Sequence, residues 1–157
     1  MHHIRFLSPQ DDLVAAAQVY TESWKAAYAG ILPQRFLDKL SPDRWLAVLR
    51  ADPSSSLGLF VEERIIGTAM LNVPRAEIVS LYLLPEAAGK GFGKMLLNAA
   101  LEALKEHGCE AASLWVMCAN THAITFYLRS GFAPTGRMQE ENYGTQAVEL
   151  MEMTRRL

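Results

Sequence analysis

The chain has 157 residues, 50% of them hydrophobic and 20% charged, with a formal net charge of −2. This composition predicts one water-soluble globular domain over 1–157, long enough to bury a hydrophobic core. Its near-neutral charge and dispersed basic residues exclude the positive field that nucleic acid or an anionic membrane surface requires.

The first third of the chain predicts a short strand over 3–7 followed by helices. Asp11 and Asp12 favour a helix start, because acidic side chains stabilise the first turn. Apolar residues at helical spacing, including Trp24 and Tyr28, extend this helix to Gly30. Prolines at the first position of a helix favour two further starts. The predicted helices cover 10–29, 33–40 and 42–50.

The middle and end of the chain alternate between strand and helix patterns. The predicted strands cover 57–62, 65–73, 76–84, 111–117, 132–140 and 145–154, the last two joined by a turn containing Asn142 and Gly144. The predicted helices cover 91–107 and 121–130. This order predicts an α/β (α+β) fold, with a mixed central sheet of about seven strands and helices on both faces.

A glycine-rich segment separates the strand 76–84 from the next helix, with glycines at 89, 91 and 93. The first N–H groups of a helix are unpaired and carry partial positive charge, so they suit an anion. Glycines let an extended ligand approach the backbone, and Lys90 and Lys94 add positive charge. The segment therefore predicts a pyrophosphate site, with a plain turn as the alternative. Its spacing matches neither a Walker loop nor a dinucleotide fingerprint.

Other features limit the cellular setting. Polar residues interrupt the N-terminal segment, so the sequence predicts no secretory signal. No apolar run approaches the roughly 20 residues that span a bilayer. Cys109 and Cys118 lack metal-ligand spacing, which favours reduced thiols in a cytoplasmic protein without a metal site.

Two motifs together resemble the GNAT superfamily of acetyl-CoA-dependent N-acetyltransferases. The first runs from Val79 to Pro85 and continues through 88–94; the second contains Asn120, Phe126-Tyr127 and Gly131-Phe132. The resemblance extends over nearly the whole chain and implies the GNAT fold, acetyl-CoA as co-substrate and no metal. The chain departs from the family pattern at Ala88, where Gln or Arg is usual.

The resemblance also implies roles for individual residues. A bulge in the strand before the loop exposes N–H groups that polarise the acetyl carbonyl, a role that falls on Leu83 with its neighbours. Tyr127 protonates the leaving thiolate, and Glu77 accepts the amine proton directly or through water. Glu22 and Glu149 are poorer candidates for the base. The implied cofactor-binding residues are Leu81, Tyr82, Leu83, Ala88, Gly89, Lys90, Gly91, Phe92, Gly93, Lys94, Asn120, Phe126 and Tyr127.

Several of these residues also fit a purely structural role. Tyr127 fits core packing beside Phe126, Asn120 fits a helix cap, and Glu77 fits an exposed charge at a strand edge. Trp24 and Tyr28 lie in a segment common in one bacterial branch of the family. Both are candidates to line the acceptor pocket, although their helical spacing favours the core.

The sequence therefore predicts an N-acetyltransferase that moves an acetyl group from acetyl-CoA to a primary amine of an unidentified small molecule by direct attack. One alternative keeps the chemistry but changes the acceptor to a protein N-terminus or lysine. Others are a non-catalytic acyl-CoA-binding regulatory module and a nucleotide-binding protein. Expected partners are a small-molecule or peptide amine, with no nucleic acid or membrane, and the chain is expected to be a monomer or homodimer.

Overall fold

The computed structural model describes all residues from 1 to 157 and contains a seven-stranded mixed sheet. The strands are β1 (His2–Phe6), β2 (Ser56–Val61), β3 (Arg64–Asn72), β4 (Glu77–Leu83), β5 (Ala111–Met117), β6 (Ala133–Tyr143) and β7 (Gln146–Arg156). The helices are α1 (Leu13–Ala27), α2 (Gln34–Asp38), α3 (Asp43–Ala51), α4 (Phe92–Glu106) and α5 (Thr121–Arg129). The strand order is β1-β2-β3-β4-β5-β7-β6, and only β4 and β5 run parallel. The predicted fold class is confirmed.

The first helix is shorter than predicted at both ends. The Asp12 side chain accepts a hydrogen bond from the Ala15 N–H at 3.0 Å, which makes Asp12 the cap and begins α1 at Leu13. Asp11 belongs to the preceding turn, because its carboxylate accepts from the Ser8 N–H at 2.7 Å and pairs with Arg5. Capping by a side chain therefore sets the start of α1.

The last hairpin turns later than predicted. β6 continues to Tyr143, which pairs with Gln146, so the loop consists of Gly144 and Thr145. Gly144 has a φ of 64°, the left-handed conformation that tight hairpin turns require. Asn142 lies within the strand, opposite Ala147, and the prediction that it belongs to the turn is wrong.

Helices α1 and α4 pack against opposite faces of the central strands. Tyr82 of β4 points to the α1 face, where its hydroxyl contacts that of Tyr28. Leu83 points to the α4 face, where a Cβ placed on Gly67 would meet both Leu83 and Leu96. This alternation directs the side chains of β4 to both layers of the core. No helix in the chain combines the length and the hydropathy needed to cross a bilayer.

Candidate active site

The segment before α4 presents a row of backbone N–H groups that have no acceptor within the protein. Residues 89 to 94 donate no hydrogen bond, and the first bond of α4 runs from Met95 N to Gly91 O at 3.2 Å. Gly89 and Gly91 have φ values of 75° and 85°, which glycine adopts without a Cβ penalty. No side chain caps α4, and Lys90 and Lys94 are exposed. This arrangement suits an anion.

Ala88 does not disturb this row of amides. Its backbone is extended, with φ −68° and ψ 150°, and its side chain is exposed. Phe92 begins α4 and is partly buried. Gly93 lies in the first turn, where an added Cβ would lie 3.6 Å from the ring of Phe126. Phe126 therefore packs α5 against the start of α4.

The sheet opens between β4 and β5. The two strands pair only where Glu77 lies opposite Ser113, next to a hydrogen bond from Ser113 N to Ala76 O at 3.0 Å. β5 remains paired with β7 from Ala111 to Met117, and β4 remains paired with β3 as far as Leu83. Beyond Glu77 the facing edges of β4 and β5 therefore diverge and form a V-shaped cleft.

The backbone of Leu81 and Leu83 lines the β4 side of this cleft. The Leu84 N–H donates to Ile66 O at 2.8 Å, which sets the alternation of the β3–β4 ladder. Residues 82 and 84 therefore direct their N–H groups to β3, whereas Leu81 and Leu83 direct theirs to the cleft. Tyr82, predicted as a neighbour in this backbone role, reaches the site with its side chain instead.

Ser23 of α1 holds the Leu83 carbonyl. Its side chain is 4% exposed, and its hydroxyl donates to Leu83 O at 2.5 Å. Because that carbonyl faces the cleft, β3 cannot satisfy it. Sequence reasoning missed this role of Ser23, since its partner is 60 positions away along the chain.

A bulge in β4 brings Glu77 to the same face of the sheet as Tyr82. Their partners on β3 are Asn72 and Thr68, which lie an even number of residues apart and so share a face. Val79 is the extra residue in β4. In a regular strand Glu77 and Tyr82 would lie on opposite faces. The bulge that the resemblance implied is present.

Phenol groups converge on the α1 side of the cleft. The hydroxyls of Tyr28 and Tyr82 are 3.0 Å apart, and Ser80 Oγ donates to the Tyr20 hydroxyl at 3.3 Å. Burial raises the pKa of Tyr127, and the nearby Tyr28 phenol raises it further. Burial likewise raises the pKa of Tyr82, with smaller effects from Tyr28 and Tyr127. These phenols therefore stay protonated at neutral pH and can donate hydrogen bonds.

Aromatic rings continue from these phenols toward the surface. The Trp24 ring lies 4.7 Å from that of Tyr28, 5.8 Å from Trp45 and 5.6 Å from Tyr143, measured between centroids. Trp24 and Tyr28 are each 8% exposed. Both residues belong to the hydrophobic core and also lie on the α1 side of the cleft. A role in core packing therefore does not exclude a role in lining the acceptor pocket.

The tip of the β6–β7 hairpin lies against the segment that connects α1 to α2. Gln146 Nε2 donates to Ile31 O at 3.1 Å. A Cβ on Gly144 would lie 3.3 Å from Phe36, and the Tyr143 ring lies 5.9 Å from that of Phe36. The hairpin tip is therefore packed against α2 and the α1–α2 connection, with Tyr143 next to Trp24.

Comparison with known proteins identifies this arrangement. The Acetyltransferase (GNAT) family matches residues 15–132. The chain belongs to the GNAT family. A spermidine N(1)-acetyltransferase from Thermoplasma acidophilum is 32% identical over 133 residues, which are 78% of this chain and 83% of that protein. The predicted superfamily and the predicted acetyltransferase class are confirmed.

Solved structures agree with this assignment. The PaiA N-acetyltransferase from Thermoplasma acidophilum, determined in complex with coenzyme A, matches with a TM-score of 0.75 at 28% identity, covering 100% of this chain and 99% of that one. A putative acetyltransferase, YncA from Salmonella typhimurium, matches with a TM-score of 0.74 at 21% identity, covering 100% and 94%. The latter likeness shows the fold alone.

In this GNAT chain Asn120 caps a helix. Its Oδ1 accepts from the Ala123 N–H at 3.2 Å at the start of α5, whereas its Nδ2 donates no hydrogen bond. Helix capping is therefore observed, and the amide nitrogen remains free for a ligand carbonyl. The predicted contact with the cofactor stays a prediction.

Tyr127 also combines two features. Its ring packs edge-on against Phe126 at 5.3 Å and against Phe132 at 5.7 Å, as expected for a core aromatic. Its hydroxyl has no hydrogen-bond partner within the protein, unlike those of Tyr28 and Tyr82. The ring is therefore fixed by packing while its O–H is available as a donor.

The two carboxylates predicted as poorer bases are both exposed. Glu22 is exposed on α1 and lines a separate groove along β1. Glu149 is exposed on β7, opposite Glu140. Glu77 makes no ion pair and lies where β4 and β5 meet. Of the three predicted candidates, Glu77 is the one at the closed end of the cleft.

Proposed function

We propose that this GNAT chain transfers the acetyl group of acetyl-CoA to a primary amine of a small molecule by direct attack. The carrying observation is the presence of two sets of unpaired main-chain donors, one at residues 89–94 and one at Leu81 and Leu83 on the cleft edge. The coenzyme A in the related PaiA structure supports the same ligand here. Acetyl-CoA supplies an acetyl group that is already activated as a thioester.

The glycine-rich segment before α4, together with the starts of α4 and α5, would hold the coenzyme. The amides of 89–94, with Lys90 and Lys94, suit the charge of a pyrophosphate. The Ala88 N–H donates to Pro85 O at 3.2 Å, so Ala88 adds no free amide to this row. The free Nδ2 of Asn120 is a donor for the amide carbonyls of a pantetheine chain. Phe126 would support this ligand indirectly, because it packs against Gly93.

Main-chain amides would stabilise the charge that develops on the acetyl oxygen. The Leu83 N–H, with that of Leu81, points into the cleft and has no strand partner there. Fixed donors of this kind contribute about 3 kcal/mol each to a transition state. Because Ser23 fixes the next peptide, the Leu83 donor needs little reorganisation.

Tyr127 and Glu77 would serve the leaving sulfur and the attacking amine, respectively. The raised pKa of Tyr127 keeps its O–H intact, so it donates a hydrogen bond to the sulfur as negative charge builds there. An alkylammonium ion with a pKa near 10.4 must lose a proton before attack. Glu77 shares the face of the phenols and is the proposed acceptor of that proton, directly or through water.

The docked hairpin favours a small acceptor over a peptide. Gln146 bridges to Ile31, and Gly144 packs against Phe36, so the hairpin is held against the α1–α2 segment and leaves less room for a polypeptide than for a small molecule. The spermidine acetyltransferase relative also acts on a small amine, as its name states.

Cys109 and Cys118 form no disulfide, which is compatible with the proposed cytoplasmic setting.

Release of free thiol from acetyl-CoA, measured with a panel of small amines and peptides, tests this proposal. We expect turnover with at least one small amine and none with peptides. Binding of coenzyme A in calorimetry without turnover on any amine would instead indicate a regulatory binding module. Equal affinity for ATP or NAD would overturn the coenzyme assignment.

The Glu77→Gln variant tests the base within the same assay. We expect the fall in rate at acidic pH to change, because the variant lacks the carboxyl that is proposed to accept the amine proton. The affinity for coenzyme A should be retained, because residue 77 lies outside the amide row. A profile identical to that of the unchanged protein would remove Glu77 from the mechanism.

A further inference from the structure

Arg44 lies at the surface end of the aromatic rings around Trp24 without a carboxylate partner. Its guanidinium carbon is 5.5 Å from the ring centroid of Trp24 and 5.7 Å from those of Phe36 and Trp45. These rings attract the cation through their faces and restrain it without using its N–H donors. Arg44 takes part in none of the four ion pairs of the chain, so its planar set of donors is available.

The rings around Arg44 are the same ones that border the phenols. Trp24 lies 4.7 Å from Tyr28 and 6.4 Å from Tyr82, whose hydroxyls contact each other. One indole ring therefore separates Arg44 from the phenols on the α1 side of the cleft, where Trp24 and Tyr28 are candidates to line the acceptor pocket. An acceptor that extends past Trp24 brings its far end to the guanidinium.

The carboxylate that the hairpin contributes to this region is already engaged. Glu141 accepts hydrogen bonds from the Tyr143 hydroxyl at 2.7 Å and from Gln139 Nε2 at 3.2 Å. Burial and Glu141 raise the pKa of Tyr143, whereas the charge of Arg44 lowers it, so Arg44 is within electrostatic reach of that phenol. Glu141 therefore forms no ion pair with Arg44, whose guanidinium is exposed to solvent.

We propose that Arg44 forms an anion-binding subsite of the acceptor pocket, and that the acceptor is a primary amine that also carries a carboxylate or a phosphate. The inference rests on the proposed function, because it concerns the acceptor of that reaction. A guanidinium matches both anions with two parallel hydrogen bonds. A polyamine would bring like charge to Arg44, so this chain is expected to differ in acceptor from its spermidine-acetylating relative.

Amines that match in length and differ in the charge of the far group test the subsite. The probes of matched length are 6-aminohexanoate and 6-aminohexyl phosphate, against hexylamine and 1,6-diaminohexane, because a six-carbon chain is long enough to pass the Trp24 ring. Spermidine is added as a longer polycation, and each probe is assayed by thiol release. We expect kcat/KM for one of the anionic probes to exceed that for the uncharged and cationic probes by about tenfold or more, mainly through KM. Comparison of the two anionic probes distinguishes carboxylate from phosphate.

Arg44→Gln should reduce this preference to within about threefold, and Arg44→Lys should retain part of it, because charge remains without the planar fork. Arg50→Gln is the matched control, since it removes an exposed arginine from the last turn of the same helix and should leave the preference unchanged. The inference is overturned by a preference for the diamine or spermidine, or by an Arg44→Gln variant that loses activity equally with all probes. No turnover with any amine would instead overturn the proposed function itself.

Discussion

Replacement of Ser23 by alanine tests how α1 supports the cleft edge of β4. The change removes the hydroxyl that donates to the Leu83 carbonyl at 2.5 Å from a side chain that is 4% exposed. Loss of such a bond lowers the free energy of unfolding by roughly 1–2 kcal/mol. The functional effect should be larger, because the adjoining Leu83 N–H is the proposed donor to the acetyl oxygen.

Partial loss of one fixed donor of this type corresponds to a decrease of roughly 10–100-fold in kcat. The KM for acetyl-CoA should stay within about threefold, since the amides of residues 89–94 are not touched. Thiol release measures both constants, and thermal unfolding reports the change in stability.

Thr21→Val is the matched control for Ser23→Ala. Thr21 is 6% exposed in the same helix, and its hydroxyl donates to Ala17 O at 3.0 Å, within α1 rather than across to β4. Its replacement should affect stability and leave kcat unchanged. A folded Ser23→Ala protein whose kcat lies within about twofold of the unchanged protein would refute the positioning role, given the magnitude expected for a lost donor.

Three further outcomes are expected. Tyr127→Phe should lower kcat by about tenfold or more without changing the KM for acetyl-CoA, because the phenyl ring keeps its packing and loses only the donor; unchanged turnover in the thiol assay would exclude it from the mechanism. Gly91→Ala and Gly136→Ala place a Cβ at φ values of 85° and 89°, so both should lose roughly 1–2 kcal/mol of stability, but only Gly91→Ala should weaken coenzyme A binding in calorimetry. A hydrogen bond from Arg5 lowers the pKa of Asp11 to about 2, so this pair should stabilise the fold above about pH 4 and lose its effect as the pH falls toward 2. Asp11→Asn should therefore show a flatter dependence of Tm on pH over that range, and an identical curve would contradict the assignment.

Much of the fold is a local property of the sequence. The strand predicted over 111–117 is β5 as observed, because an apolar run of seven residues has the length of a strand and is too short for a typical buried helix. The bounds of the other strands differ from the prediction by one to a few residues. Only the last hairpin turns at a different place: because Tyr143 pairs with Gln146, the turn contains Gly144 but not Asn142. The helix start at residue 92 follows from the glycines before it.

The site was predictable only in part, because its residues meet through long-range packing. Sequence spacing does not reveal that Ser23 reaches Leu83, or that Tyr28 and Tyr82 share a hydrogen bond. It also cannot show which way the hairpin folds or what Arg44 contacts. Each of these contacts joins residues whose separation along the chain is large, so no local pattern encodes it.

The order of residues along the chain determined the glycine-rich segment with free amides before α4, because glycine backbone freedom and unpaired helix amides are local properties. The side of the sheet on which Glu77 lies was decided by the folded molecule alone. In a regular strand, the Glu77 carboxylate would lie on the face of the sheet opposite to Tyr82. The one extra residue, Val79, brings it to the same face as Tyr82. A bulge is a relation between two strands, so it exists only once β3 and β4 have paired.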